Sequence, residues 1–123
     1  MRRFYDEAIN GRDLSAVDRR LTEDFVHNGE PRGRAGQRKA VEAFLAGFPE
    51  LEHSIELILA EADLVAAHQS WRGKHGGEFA GVPATGRLVS FTSTAVLRLE
   101  SGLIAEAWDE VDMLGLMQEL GAQ

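Results

Sequence analysis

Apolar residues in the first part of the chain recur every three or four positions, which is the spacing of amphipathic helices. Three helices are predicted, with apolar faces formed by Phe4, Ala8 and Ile9, then Leu14, Val17 and Leu21, then Val41, Phe44, Leu45 and Phe48. Asn10 and Gly11 end the first helix, Asp13 is placed to cap the second, and Pro49 follows the third.

From residue 55 onward the apolar residues alternate with other residues, as in strands with one buried face. The first predicted strand alternates through Ile55, Leu57 and Leu59, and three more follow at 64–72, 88–99 and 103–110. A long loop is predicted at 73–87, because that segment carries five glycines and a proline. A last helix buries Met113, Leu116, Met117 and Leu120.

Helices followed by a run of strands and a final helix predict the α+β class, with a curved antiparallel sheet and the helices packed on one face. The 123 residues are about the size of one ordinary domain, and no repeat or linker divides them. We therefore predict a single domain spanning 1–123.

Two aspartates stand three residues apart at the junction of the last strand and the last helix. Asp112 immediately precedes the helix, so its predicted role is to cap the helix N-terminus. Asp109 shares strand parity with Ala105 and Ala107. A strand face of small residues with one acid suits the wall of a cavity, although an edge or surface position explains Asp109 equally well. If apolar walls enclose Asp109, desolvation is expected to raise its pKa and suit it to acid–base chemistry.

The third predicted strand has a similar face, on which Phe91, Ser93 and Ala95 share parity. Trp108 lies on the opposite face of the last strand from Asp109. A large aromatic on the outer face of a sheet indicates a covered surface, and a homodimer interface or another part of the same chain are the two alternatives.

Composition and net charge limit the classes of molecule that the chain is expected to bind. The net charge of −7 argues against non-specific binding to nucleic acid or to an anionic membrane, and the chain has no apolar run that spans a bilayer. The chain has no cysteine, and the start MRRFYDE has no apolar stretch behind its arginines, so a cytoplasmic location is expected. The expected partner is therefore a small molecule or another protein, and we take the first, a small apolar or carbonyl-containing ligand, as the prediction.

The four histidines, His27, His53, His68 and His75, are scattered, with no pair at metal-ligand spacing. Nucleotide-binding glycine motifs and a serine-hydrolase elbow are also lacking. We therefore expect neither a metal nor a cofactor. His27 follows Phe25 and Val26 on a short predicted strand, and His75 opens the glycine-rich loop, where surface exposure is the default.

The segments RRFYDEAINGRDLSAVDRRLTEDFVHN, GKHGGEFAGVPATGRLVSF and SGLIAEAWDEVDMLGLMQELG cover most of the chain. The second carries G-x-H-x-G-x-x-x-G-x-P-x-T and the third carries D-x-x-D-x-x-G-x-x-x-E-L-G. With these motifs the chain resembles the SnoaL-like polyketide cyclases of the nuclear transport factor 2-like superfamily. The resemblance implies a bent sheet wrapped round a pocket by helices, and a homodimer.

The resemblance also implies site residues. An aspartate near the end of the last strand acts as acid and base in a cofactor-free intramolecular aldol ring closure, and its matching position is Asp109. A polar pocket residue, asparagine in the cyclases, falls at His27, and the loop histidine matches His75. Two polar pocket positions, a glutamine and a histidine, correspond here to Ser93 and Ala95, so the chain lacks that histidine.

Our leading hypothesis is a small cyclase or isomerase in which Asp109 moves a proton next to a carbonyl. His27 and Ser93 serve as hydrogen-bond partners of the enolate oxygen, and His75, Phe91 and Ala95 complete the substrate-binding set. A non-catalytic ligand-binding protein of the same fold is the alternative. An epoxide hydrolase-type activity using Arg72 with Asp109 is a weaker one.

Overall fold

The computed structural model describes residues 1–121, and it confirms the α+β class. The elements are α1 (Arg2–Tyr5), α2 (Ser15–Arg20), β1 (Leu21–His27), α3 (Gly33–Gly47), β2 (Glu52–Glu61), β3 (Leu64–Lys74), β4 (Leu88–Glu100), β5 (Leu103–Val111) and α4 (Met113–Glu119). A π-helical turn, Asp6–Asn10, continues α1, and the Gly11 N–H donates to the Asp6 carbonyl at 2.8 Å. Across residues 1–121, no helix is long and apolar enough to cross a membrane.

The five strands form one curved, unclosed sheet in the order β1-β5-β4-β3-β2. Strands β2 to β5 pair antiparallel as expected, but β1 pairs parallel with β5, so the sheet is mixed rather than wholly antiparallel. The parallel pair exists because β1 follows α2 directly and buries Leu21 and Phe25 beside β5 at the edge of the sheet. The end of β1 therefore lies beside the middle of β5, where His27 pairs with Ala107.

The core lies between the helices and the inner face of the sheet. It is built from large apolar side chains on both layers, which include Phe4, Ile9, Val17, Phe25, Phe48, Phe91, Leu97, Ile104 and Leu116. Burying one such side chain contributes about 1.5–3 kcal/mol. The core therefore stabilises both the helical layer and the inner faces of β4 and β5, from which the site below is built.

The predicted burial of the β2 leucines is wrong. Leu57 and Leu59 are 69% and 77% exposed, whereas His53 is buried. The pairing of β2 with β3 shifts between Ile55 and Leu57, so a bulge reverses the side-chain parity along the strand. Leu57 and Leu59 consequently face outward, and the N-terminal half of β2 turns His53 inward.

The N-terminus of α4 is capped by Asp112, as predicted. Asp112 Oδ1 accepts a hydrogen bond from the Gly115 N–H at 2.9 Å, which confirms the capping role. Leu116 and Leu120 are buried, but Met113, at the first helical position, is 37% exposed and does not belong to the buried face.

Candidate active site

Asp109 lies on the inner face of β5. Ala105 and Ala107 share that face and are buried, whereas Trp108 and Glu110 are exposed on the opposite face. The Asp109 side chain forms part of a cavity wall. Of the two alternatives for Asp109, the structure thus favours the cavity wall, and Trp108 lies on the opposite face of β5 as predicted.

Two side chains at the end of β1 hold the Asp109 carboxylate. Nε2 of His27 lies 2.9 Å from Asp109 Oδ1, and Nδ2 of Asn28 donates to the same oxygen at 3.3 Å. The Asn28 side chain also accepts from the Asp109 N–H at 2.8 Å and donates to its carbonyl at 3.1 Å. Asn28 has a φ of 47°, in the left-handed region that asparagine adopts more readily than most residues.

These contacts leave one carboxylate oxygen for a ligand. Both side-chain contacts use Oδ1, and within residues 1–121 the structure gives Asp109 Oδ2 no hydrogen-bond partner. A carboxylate can accept hydrogen bonds at both oxygens. The Asp109 side chain is 29% exposed, so Oδ2 has room to contact a ligand.

The cavity beside Asp109 has a volume of about 250 Å³. Its aromatic walls come from Phe4, Tyr5, Phe44, Trp71 and Phe91. The rings of Trp71 and Phe91 are parallel, with centroids 5.9 Å apart. The volume lies just below the range of about 300–1,000 Å³ that is typical of small-molecule sites. A compact, flat, apolar ligand suits such a cavity.

Ser93 is a hydrogen-bond donor on the cavity wall. Its Oγ accepts from the Trp71 Nε1–H at 2.8 Å and from Gln69 Nε2 at 3.5 Å. A hydroxyl oxygen accepts two hydrogen bonds and donates one. Because both acceptor positions are occupied, the Ser93 O–H is left to donate to a ligand. Ser93 pairs with Val111, so it is a diagonal neighbour of Asp109 across β4 and β5.

A buried histidine fixes the orientation of Gln69. Nε2 of His53 contacts Gln69 Oε1, which leaves the amide nitrogen to donate to Ser93. Burial lowers the pKa of His53, against opposing effects of the Gln69 hydrogen bond and the Asp6 charge. The His53 ring stacks on Tyr5 at 4.2 Å, and burial raises the pKa of Tyr5 to about 12. Both rings therefore stay uncharged at neutral pH.

Comparison with known proteins places this geometry in a family. The SnoaL-like polyketide cyclase family matches residues 1–120. The chain belongs to this family. Two curated relatives, each 34% identical over 96 residues, are the aklanonic acid methyl ester cyclases DnrD of Streptomyces peucetius and DauD of Streptomyces sp. (strain C5). The match covers 77% of this chain but only 66% and 60% of the relatives, so it spans under two thirds of their length.

Solved structures agree with this SnoaL-like assignment. TsrD from Streptomyces laurentii is 30% identical, with a TM-score of 0.91 over 99% of this chain and 92% of that chain. AclR from Streptomyces galilaeus is 35% identical, with a TM-score of 0.84 over 93% and 87%. IdmH from Streptomyces antibioticus is 30% identical, with a TM-score of 0.84 over 98% and 95%.

Of the residues predicted for this SnoaL-like site, the structure brings His27, Phe91, Ser93 and Asp109 to one cavity. Ala95 is buried and pairs with Asp109 across the sheet, but it is not part of the cavity lining. The residue directly opposite Asp109 on β4 is therefore an alanine, which offers the carboxylate no polar side chain.

His75 occupies a different place from the one its loop position indicated. It is fully buried rather than exposed, and it lies outside the lining of the Asp109 cavity. The Thr85 N–H donates to His75 Nδ1 at 3.2 Å, and the ring packs 5.5 Å from the Phe48 ring. His75 therefore holds the two ends of the glycine-rich loop together.

Sequence reasoning missed several polar residues of the site, namely Tyr5, Asn28, Arg32, Gln37, His53 and Gln69. A signal existed for Gln69, because strand parity sets it opposite His68 and Ser70, on the face of Ala67 and Trp71. His53 shares the parity of Ile55 on β2, which was a second signal. No local signal marked the others, since they reach the site from α1, the end of β1 and the start of α3.

Arg72 is separated from Asp109. It is paired with Glu52 at 3.2 Å, and its side chain is 66% exposed. It therefore does not supply the cation that an epoxide hydrolase-type site would need. Within residues 1–121, no three His, Asp or Glu side chains come together as a metal site.

Proposed function

We propose that this SnoaL-like protein is a cofactor-free cyclase or isomerase in which Asp109 transfers a proton at a carbon next to a carbonyl. The observation that carries the proposal is the Asp109 carboxylate on the cavity wall, with Oδ1 held by His27 and Asn28 and Oδ2 left for a ligand. A base whose position is fixed in this way loses little freedom when it removes a proton.

In the proposed ring closure, Asp109 takes a proton from carbon and the substrate becomes an enolate. The enolate carbon attacks a second carbonyl of the same molecule, a carbon–carbon bond forms, and Asp109 returns its proton to the new alkoxide. The atoms balance without any oxidant or cofactor. Membership of the SnoaL-like family and the similarity to two cyclases support this class of reaction.

Ser93 and His27 have separate roles in this proposal. The Ser93 O–H, whose oxygen is already used by Trp71 and Gln69, donates to the developing enolate oxygen. His27 contacts Asp109 itself, so it acts on the base and not on the enolate oxygen. It holds the Asp109 carboxylate in a fixed orientation through the contact of Nε2 with Oδ1.

Proton exchange at a simple ketone tests this chemistry. The protein is mixed with 2-acetylnaphthalene in D₂O, and loss of the methyl proton signal is followed by NMR. We expect the wild type to accelerate exchange and Asp109→Asn to lower the rate by about 10²–10⁴-fold, as for loss of a general base. Glu110→Gln, an exposed acid on the opposite face of β5, is the matched control and should leave the rate unchanged.

The same experiment distinguishes the proposed enzyme from the alternative, a non-catalytic binding protein. The alternative is favoured by Ala95, which stands where the cyclases carry a histidine. Binding of the ketone is measured in parallel by the shift in melting temperature. Binding without exchange by wild type would favour the binding protein. Equal exchange by wild type and Asp109→Asn would remove Asp109 from the mechanism.

We also propose a homodimer through the outer face of the sheet. Trp108 is 41% exposed there and pairs with Val96 on the neighbouring strand. An exposed tryptophan is a frequent anchor of protein interfaces. Light scattering after size exclusion should give a dimer for wild type and a monomer for Trp108→Glu, whereas a monomeric wild type contradicts the proposal.

A further inference from the structure

A second polar region of the cavity lies at the start of α3. Arg32, the residue before α3, lines the cavity together with Gln37 on the first turns of the helix. Nη1 of Arg32 donates to Gln37 Oε1 at 2.8 Å. Within residues 1–121, the arginines that form ion pairs are Arg19, Arg20, Arg38, Arg72 and Arg98. The Arg32 guanidinium is thus a cation without a carboxylate partner in the described part of the chain.

Gly36 creates the space for the Arg32 side chain. A Cβ atom at Gly36 would lie 2.5 Å from Arg32 Cγ and 3.5 Å from its Cβ, which is too close for the stem to keep its place. A glycine inside a helix costs roughly 1 kcal/mol relative to alanine. Here the glycine lets the Arg32 stem fold across the first turn of α3, where Arg32 lines the cavity.

Most of the hydrogen-bonding groups in this region are donors. A guanidinium has five N–H donors and no acceptor, and one of them is used by Gln37. The Gln37 oxygen accepts that bond and keeps one lone pair, while the Gln37 NH₂ group supplies two further donors. The nearby walls, from Val41 and Phe44, are apolar. A cation against apolar walls is favourable only when an anion or several acceptors pair with it.

We propose that Arg32 and Gln37 bind a carboxylate on the ligand, so that the protein selects acids over the corresponding esters. The planar guanidinium can contact both oxygens of a carboxylate at once. The assignment deepens the proposed function because it uses the same cavity, with the ligand carboxylate at Arg32 and its reacting carbon at Asp109. The ligand class is then a compact aromatic keto acid in its ionised form.

A matched pair of probes tests the selectivity. Dissociation constants are measured by tryptophan fluorescence for 2-naphthoate and for methyl 2-naphthoate, which differ in the charge of one group. We expect wild type to bind the acid more tightly than the ester, and, because the ester also carries an added methyl group, the deciding result is that Arg32→Gln weakens acid binding by roughly 10- to 100-fold while changing ester binding little. Arg34→Gln is the control, since Arg34 bonds the Asp18 carbonyl outside the cavity lining.

Gly36→Ala supplies an independent variant that keeps the charge. The added methyl group should displace the Arg32 stem, so acid binding weakens while ester binding is retained. If wild type binds the ester as tightly as the acid, binds neither probe, or keeps its preference in Arg32→Gln, the proposal is wrong. A preference for the acid that persists in Asp109→Asn, whatever the result of ketone exchange, separates this inference from the proposed catalysis.

Discussion

Replacing Gln69 with leucine should destabilise the protein, chiefly through loss of the buried contact with His53. Gln69 is 1% exposed, and its amide joins His53 to Ser93. Leucine has a similar size, so the change removes polar contacts more than packing. The His53 N–H, on a side chain that is itself buried, then lacks an acceptor. An unsatisfied buried donor costs about 1–3 kcal/mol, and we expect a loss of that size in the free energy of unfolding.

A double-mutant cycle isolates the contact. His53→Phe keeps an aromatic ring against Tyr5, with which His53 stacks at 4.2 Å, but removes the donor. With Gln69→Leu in the same chain, neither partner is left unsatisfied. The double variant should therefore lose less stability than the two single losses added together, by about 0.5–3 kcal/mol.

The free energy of unfolding of all four proteins is measured in urea, with tryptophan fluorescence as the signal. An unchanged slope of that free energy against urea concentration checks that unfolding remains two-state. Gln118→Leu makes the same chemical change on the exposed side of α4 and should stay within about 0.5 kcal/mol of wild type. A Gln69→Leu protein as stable as wild type, or strictly additive losses, would refute the interpretation of this network.

Two further predictions concern stability. Because burial holds the His53 pKa below its ordinary value of 6.5, the unfolded chain takes up that proton before the folded one, so the free energy of unfolding should fall as pH drops below 6.5. Urea unfolding at several pH values should show a shallower fall in His53→Phe, and an unchanged pH profile would contradict this cause. Asp112→Ala should cost about 0.5–2 kcal/mol through loss of the helix cap, measured by thermal unfolding, with Asp112→Asn losing less. Equal losses in these two variants would point away from capping.

Strand parity was the part of the site that could be predicted from the sequence. From Glu106 to Val111 the pairing of β5 with β4 is regular, so the two-residue period places Asp109 inward and Trp108 outward. The same reasoning failed on β2 beyond a bulge between Ile55 and Leu57, which reverses the faces, so that Leu57 and Leu59 are exposed although His53, at the same parity before the bulge, is buried.

The remaining site residues depended on non-local contacts that periodicity does not contain. Asn28 meets Asp109 only because β1 joins β5 in parallel, a pairing that the pattern of the strands did not indicate. Tyr5 reaches the cavity because α1 packs over β2 and β3, where its ring contacts His53 and Trp71. Sequence spacing describes one element at a time, whereas these contacts join elements from distant parts of the chain.

The parallel edge also governs when the site can exist during folding. Strands β2 to β5 pair with their neighbours in sequence, but Asn28 and Asp109 are 81 residues apart, so their contact closes a long loop at a cost in chain entropy. A chain that has formed only its antiparallel hairpins has Asp109 without the two side chains that hold it. Detachment of β1 alone would likewise release the Asp109 carboxylate from His27 and Asn28 before the rest of the sheet is lost, so the candidate site requires the complete fold.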